Sequence, residues 1–179
     1  AISVGIDRVG IVRAESLPLE EERFRGWLAK GFQASMAWMT REPEKRADPR
    51  ILFPGCRSVI VAALNYYTPH EHDPGTQTGK ISRYAWGDDY HDVFREKLKI
   101  LVEKMTEISP DIQTKFCVDT TPFMDKAWAV RAGIGWLGKS TNVITTDLGS
   151  WVFLGAVLVD VELEYDDNIV ADHCGSCTA

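Results

Sequence analysis

Residues Asn142–Asp160 read NVITTDLGSWVFLGAVLVD. Two runs rich in β-branched and aromatic residues, NVITT and WVFLGAVLVD, flank the turn formers Asp147-Leu148-Gly149-Ser150. Short apolar runs on either side of such a cluster are a hairpin signature, so the spacing predicts two antiparallel strands. Outward from this stretch, RSVIVAAL (Arg57–Leu64) follows Pro54-Gly55 as a short β-branched run and predicts a buried strand. TKFCV (Thr114–Val118) predicts another. Between these two lies Tyr90–Ile108, where Phe94, Leu98, Leu101, Met105 and Ile108 recur at spacings of four and three before Pro110. That is a long amphipathic helix. Pro18–Lys30 predicts a second, with proline in its first turn, Phe24, Trp27 and Leu28 on one face and Gly31 as a stop. A third is expected from Thr121 as cap and Pro122 as first residue to a stop at Gly133. Thr68–Gly79 is a loop by composition. The order is mixed and shows no repeat. The fold class expected is α+β, a mixed, largely antiparallel sheet covered by helices.

The chain has 179 residues, 45% hydrophobic and 26% charged, which suits one well-buried soluble domain. Its net charge of -6 excludes a basic field over the whole domain, so a nucleic-acid partner would need a local patch or another domain. The longest apolar run, Trp151–Val159, is far short of the ~20 residues that span a bilayer. The start AISVGIDRVGIV has neither the basic head nor the cleavage site of a signal peptide, and both ends read as excised from a longer protein. Cysteine use is sparse: Cys56 and Cys117 sit in apolar segments, and only Cys174 and Cys177 are close in sequence. That pattern suits a reducing compartment, where paired cysteines bind metal or do redox work.

The pair in HCGSCTA (His173–Ala179) fits half a zinc site, a redox dithiol or the opening of an iron–sulfur run. The small residues Gly175, Ser176, Thr178 and Ala179 favour a cluster, around which backbone must fold tightly. Asp119, at a strand end beside Phe116 and Val118, suits an acid with a tuned pKa, or a cap for the Thr120 and Thr121 amides. Asp125 is expected at the surface, paired with the helix dipole. Gly133, Gly135 and Gly138, ending in Lys139, match neither a P-loop nor a dinucleotide fingerprint and read as a glycine-rich connection. ISRYAWGDDYHDVF (Ile81–Phe94) reads as a helix entrance capped by Asp88 or Asp89, with its aromatics in the core. His70 and His72 read as solvated.

Five stretches in order, GFQASMAWMTREPEKRADPRILFPGCRSVIVAALNYY, ISRYAWGDDYH, VDTTPFMDKAWAVRAGIGWLGKST, GSWVFLG and CGSCTA, resemble the amino-terminal part of the epoxyqueuosine reductases. No single one is specific, but together they span nearly the whole chain. The resemblance implies a nitroreductase-like, cobalamin-binding catalytic domain over residues 1–170. Residues 171–179 would then begin a truncated ferredoxin-like domain. It further implies cobalamin and, in the full-length protein, two 4Fe-4S clusters. The reaction implied is reduction of epoxyqueuosine to queuosine at the tRNA wobble position, with Asp119 as proton donor and Cys174 and Cys177 as cluster ligands. The corrin would be held by Arg46, by Ser82 and Tyr84, by Lys139, Asn142 and Val143, and by Ser150 and Leu154. The expected partners are tRNA carrying epoxyqueuosine and an unidentified electron donor, in a cytoplasmic monomer. A cobalamin-binding or processing module and a relative of the reductive dehalogenases are the alternatives. With two of four cluster cysteines in hand, this chain alone is expected to assemble no cluster.

Overall fold

The computed structural model describes residues 2–73, 75 and 79–176. Its centre is a sheet of four antiparallel strands in the order β1-β2-β6-β3. They are β1 (Arg8–Arg13), β2 (Ser58–Asn65), β3 (Thr114–Cys117) and β6 (Val152–Val159). β2 and β6 pair in the register Val59↔Leu158, Ile60↔Val157 and Val61↔Ala156. Alternation along the strands sends Val59, Val61, Ala156 and Leu158 to one face and Ile60, Val157 and Val159 to the other, and both faces are covered. This explains why RSVIVAAL is a continuous apolar run rather than an alternating one.

Three short helices sit near the first face: α1 (Pro18–Ala29), α2 (Pro43–Ala47) and α3 (Pro49–Leu52). α4 (Tyr90–Ile108) covers the second face through Phe94 and Leu98, both fully buried. Its start is fixed by the Asp89 side chain, which accepts from the His91 amide, so Asp89 rather than Asp88 is the cap. Ile108, at the far end of the stripe, is exposed. α1 forms where expected, but Phe24, Trp27 and Leu28 are only half-buried because the helix packs on α2 at the rim. α5 (Asp125–Arg131) lies on the first face with Trp128 and Ala129 fully buried.

Two expectations change. The third helix starts at Asp125, not at Pro122, because Asp119 takes φ +47 and the chain turns through Thr120–Met124, with Phe123 N donating to Thr121 O. Its stop at Gly133 stands, with φ +67. The predicted hairpin is also not one ladder. β5 (Val143–Ile144) pairs with β4 (Trp136–Leu137) in a separate two-stranded sheet, while β6 runs between β2 and β3. Only the turn survives, as a single Thr145↔Gly149 bridge closed by the Thr145 hydroxyl, which donates to Gly149 O and accepts from Leu148 N. Both edges of β6 are already occupied, and NVITT finds its partner where Gly135 lets backbone approach. A Cβ there would lie 2.1 Å from Ile144 O. No helix among the described residues is long and apolar enough to cross a membrane.

Candidate active site

β3 ends in the fully buried Cys117, Val118 follows at 1% exposure, and the next residue is Asp119. Its left-handed backbone is one that aspartate tolerates better than most side chains, and such strain gathers at functional turns. The turn throws the carboxylate outward, 62% exposed, to meet His91 Nε2 at 3.1 Å. The other ring nitrogen, Nδ1, lies 2.7 Å from Asp89 Oδ1. With Asp119 first and Asp89 second as partners, the imidazolium is favoured and the His91 pKa is raised. Next to it, the Tyr90 ring stacks on Phe153 at 4.0 Å, and its hydroxyl feels the nearby Asp119 carboxylate. Burial, then the charges of Asp119 and Asp125, push that hydroxyl up to about 12, so it keeps its proton.

Asp125 is not the surface residue expected. It opens α5 on the same stripe as Trp128, Ala129 and Ala132, at i+3, i+4 and i+7, and those three are buried. Its Oδ1 is buried with no hydrogen-bond partner. Burial first and the Asp119 charge second push the carboxyl up to about 7, against weaker opposition from its own backbone, Lys126 and Arg46.

Asp119 lines a cavity of about 560 Å³ with Trp38, Arg41, Glu42, Arg46 and Thr120–Pro122. Arg46 lies over the rings of Phe24 and Trp38 at 5.7 and 5.6 Å, and its Nε is buried without a partner. A second cavity, of about 490 Å³, opens across the start of α5 and is lined by Met124, Asp125, Lys126, Val130, Leu137 and Thr141 among others. Asp125 therefore lines the second cavity, while Arg46 and Asp119 line the first with Trp38 and Arg41.

The remaining expected residues lie apart from that cavity wall. Ser82 lines a third cavity, of about 440 Å³, with Arg83 and Trp151. There the half-buried Arg83 guanidinium is enclosed by Tyr67, Trp151 and Trp86 at 5.3, 5.4 and 5.6 Å, so Trp86 boxes an arginine, whereas Tyr90 and Phe94 pack into the core as expected. Tyr84 is exposed. Asn142 accepts from Lys126 Nζ at 3.2 Å, and Lys126, which lines the second cavity, also donates to Thr141 O. Val143 is a core residue at 4% exposure, which leaves its side chain no room for a ligand. Leu154 is half-buried against the same core, and Ser150 is exposed at the turn. Lys139 Nζ donates to Gly175 O at 3.1 Å, beside Cys174. Cys174 is half-buried, with its amide held by Asp172 Oδ1, and Cys177 lies outside the described residues. Cys56 and Cys117 are buried thiols pushed up by burial, Cys56 to about 11, so neither is a ready thiolate. His72 Nε2 lies 3.1 Å from Ile81 O, and its ring packs edge-on against Trp86. Among the described residues no three His, Cys, Asp or Glu side chains converge on a metal position.

Residues 46–120 match the family profile described as "Epoxyqueuosine reductase QueG, DUF1730". The chain is 48% identical over 157 residues to an epoxyqueuosine reductase of Synechocystis, covering 88% of this chain and 53% of that protein. With one of Cellulophaga algicola it shares 42% over 179 residues, 100% of this chain and 58% of the relative. Among solved structures, epoxyqueuosine reductase with an epoxyqueuosine-modified tRNA-Tyr stem loop superposes with a TM-score of 0.89 at 34% identity, covering 98% of this chain and 47% of the other. The Bacillus subtilis enzyme, with a catalytic aspartate loop swung out of its active site, gives 0.88 at 32%, covering 99% and 47%. The chain thus spans about half the length of the curated relatives it matches.

Proposed function

Because this chain is homologous from end to end to about half of an epoxyqueuosine reductase, we propose that it forms the cobalamin-binding catalytic domain of such an enzyme, over residues 1–170, with residues 171–179 beginning the iron–sulfur part. The intact protein then reduces epoxyqueuosine at the wobble position of tRNA to queuosine, as a cytoplasmic monomer fed by an electron donor. The observation that carries the reading is Asp119, a carboxyl on a strained turn that shares one cavity with an arginine whose buried Nε has no partner. A relative whose catalytic loop is named for an aspartate supports the same assignment.

Removing an epoxide oxygen to leave an alkene requires electrons that no side chain supplies, and reduced cobalamin, when bound, supplies them. The cavity fits such a ligand in kind. Trp38 offers a flat apolar wall, and the Arg46 Nε–H is a buried donor awaiting an acceptor, which a corrin amide or phosphate provides. Arg46 and, next to Lys126, Asn142 would hold it. Asp119 delivers the proton to the departing oxygen, and His91, fixed between Asp89 and Asp119, orients that carboxyl and shares its proton. A cubane cluster is a different matter, since it requires four thiolates. With Cys56 and Cys117 locked in the core, Cys174 and Cys177 would supply two of the four.

Titrating the chain with cob(II)alamin tests the binding half of this reading. The visible spectrum is expected to change, with half-saturation at tens of micromolar or below, on the order of -6 kcal/mol, and Arg46→Ala should weaken it. An unchanged spectrum would remove cobalamin from the account.

A further inference from the structure

Deoxygenating an epoxide consumes more than one proton. Two C–O bonds break, a C=C π bond and two O–H bonds form, and the substrate takes up two electrons and two protons to release one water. The electrons come from the reduced corrinoid of the proposed function, on which this inference rests. The first proton is accounted for by Asp119 and its partner His91. The second needs its own source, because one carboxyl gives up one proton and must be reloaded before it can give another.

We propose that Asp125 is that source, a positioning residue that stores the second proton and returns it to Asp119 between the two O–H bond-forming steps. Two features of geometry and one of charge carry this. Asp125 sits on the buried stripe of α5, where its Oδ1 has no hydrogen-bond donor to stabilise a negative charge. It lines the second cavity rather than the first, so it faces a different opening from Asp119 and can be reloaded while the first is occupied. The Tyr90 hydroxyl, close enough to both Asp119 and Asp125 to feel their charges, lies beside the two carboxyls and can hand the proton on by accepting one and releasing another.

The charges around Asp125 act in the sense required. Burial and the Asp119 carboxylate, from the turn after β3, keep it protonated up to about neutrality, while Arg46 of α2 and Lys126 of α5 limit the effect. Tyr90 of α4 and Cys117 of β3 stay neutral beside it. Glu20 and Arg23 of α1 lie at the mouth of the second cavity and oppose one another in sign. Two carboxyls held in such different surroundings, one exposed and paired with histidine, one buried and unpaired, divide the work of donor and store.

The test is an infrared titration of the protein with 13C-labelled aspartate, comparing it with Asp125→Asn and Asp119→Asn. The protein should show a protonated-carboxyl band that persists to about neutral pH. Asp125→Asn should abolish that band with the amide bands unchanged. Asp119→Asn should keep it with a lower midpoint, since a repelling charge has gone. A band that survives in Asp125→Asn, or is already lost in mild acid in the unsubstituted protein, would overturn the assignment whether or not the enzyme acts on epoxyqueuosine. In the full-length enzyme, Asp125→Asn should turn a rate that is level below neutrality into one that falls about tenfold per pH unit throughout, as solvent becomes the proton source, with KM unmoved. An unchanged pH profile would equally defeat the proposal.

Discussion

The paired strands β2 and β6 and the segment Val118–Lys126 lie within a few residues of each other in space, yet they are built on opposite terms. In the strands Val59, Val61, Ala156 and Leu158 are at 0–1% exposure, every pairing is regular, and the stretch Val59–Ala63 contains no ionisable group. In the segment the backbone turns left-handed at Asp119, α5 begins without a side-chain cap, and a carboxylate oxygen is buried unpaired. The contrast teaches where this fold keeps stability and where it keeps chemistry. A rigid ladder ends at Cys117, and the residues just past its end can be held in positions that they would not adopt alone.

The largest expected effect falls on the segment. In the full-length enzyme Asp119→Asn should lower turnover by roughly 10²–10⁴-fold, the usual cost of losing a general acid, while thermal stability stays the same because the side chain is mostly exposed. Leu158→Ala should do the reverse. Truncating a fully buried side chain costs about 2–5 kcal/mol, read by denaturant unfolding, with the specific activity of the folded fraction kept.

Asp125→Asn sharpens the comparison through pH. The folded carboxyl, held at about 7 against an ordinary 3.8, keeps a proton that the unfolded chain has lost. The stability this group contributes is therefore complete below the lower value and is lost as pH rises through the upper one, by about 4 kcal/mol in all. Asparagine cannot ionise, so the variant should equal the unsubstituted protein in acid and exceed it by a few kcal/mol above neutrality. Equal denaturation midpoints at both pH values would mean that the buried carboxyl is better solvated than its geometry implies. His91→Gln should have the smallest effect. The raised histidine also stabilises below its ordinary value and stops doing so as pH rises through the folded one, but its exposed partners limit the gain to about 0.5 kcal/mol.

Much of the regular structure was legible. RSVIVAAL and TKFCV announced buried strands, and the stripe Phe94, Leu98, Leu101, Met105 fixed α4, because burial on one or both faces writes itself into composition. β1 escaped notice. Its RVGIVR is an edge strand whose Gly10 is required by the approach of Ala132 O, 2.0 Å from where a Cβ would be, and nothing local signals that neighbour. The turn at Asp147–Ser150 was equally plain, but turn chemistry cannot say which sheet each arm joins. At the site, Asp119 stood out as an acid at a strand end. Asp125 did not, although its spacing to Trp128, Ala129 and Ala132 already put it on the apolar stripe of its helix. Misplacing the helix start drew attention from the face to the terminus. Val143 shows the converse limit, a residue assigned to a ligand by resemblance whose side chain lies in the core, so that only its backbone is left to meet one.

The central claim is most directly tested by nucleoside analysis of epoxyqueuosine-containing tRNA after incubation with the full-length protein, cobalamin and a low-potential reductant. Conversion to queuosine that requires cobalamin and falls at least a hundredfold in Asp119→Asn is the predicted result. Epoxyqueuosine left intact by the loaded full-length enzyme, or converted equally well by Asp119→Asn, would contradict it.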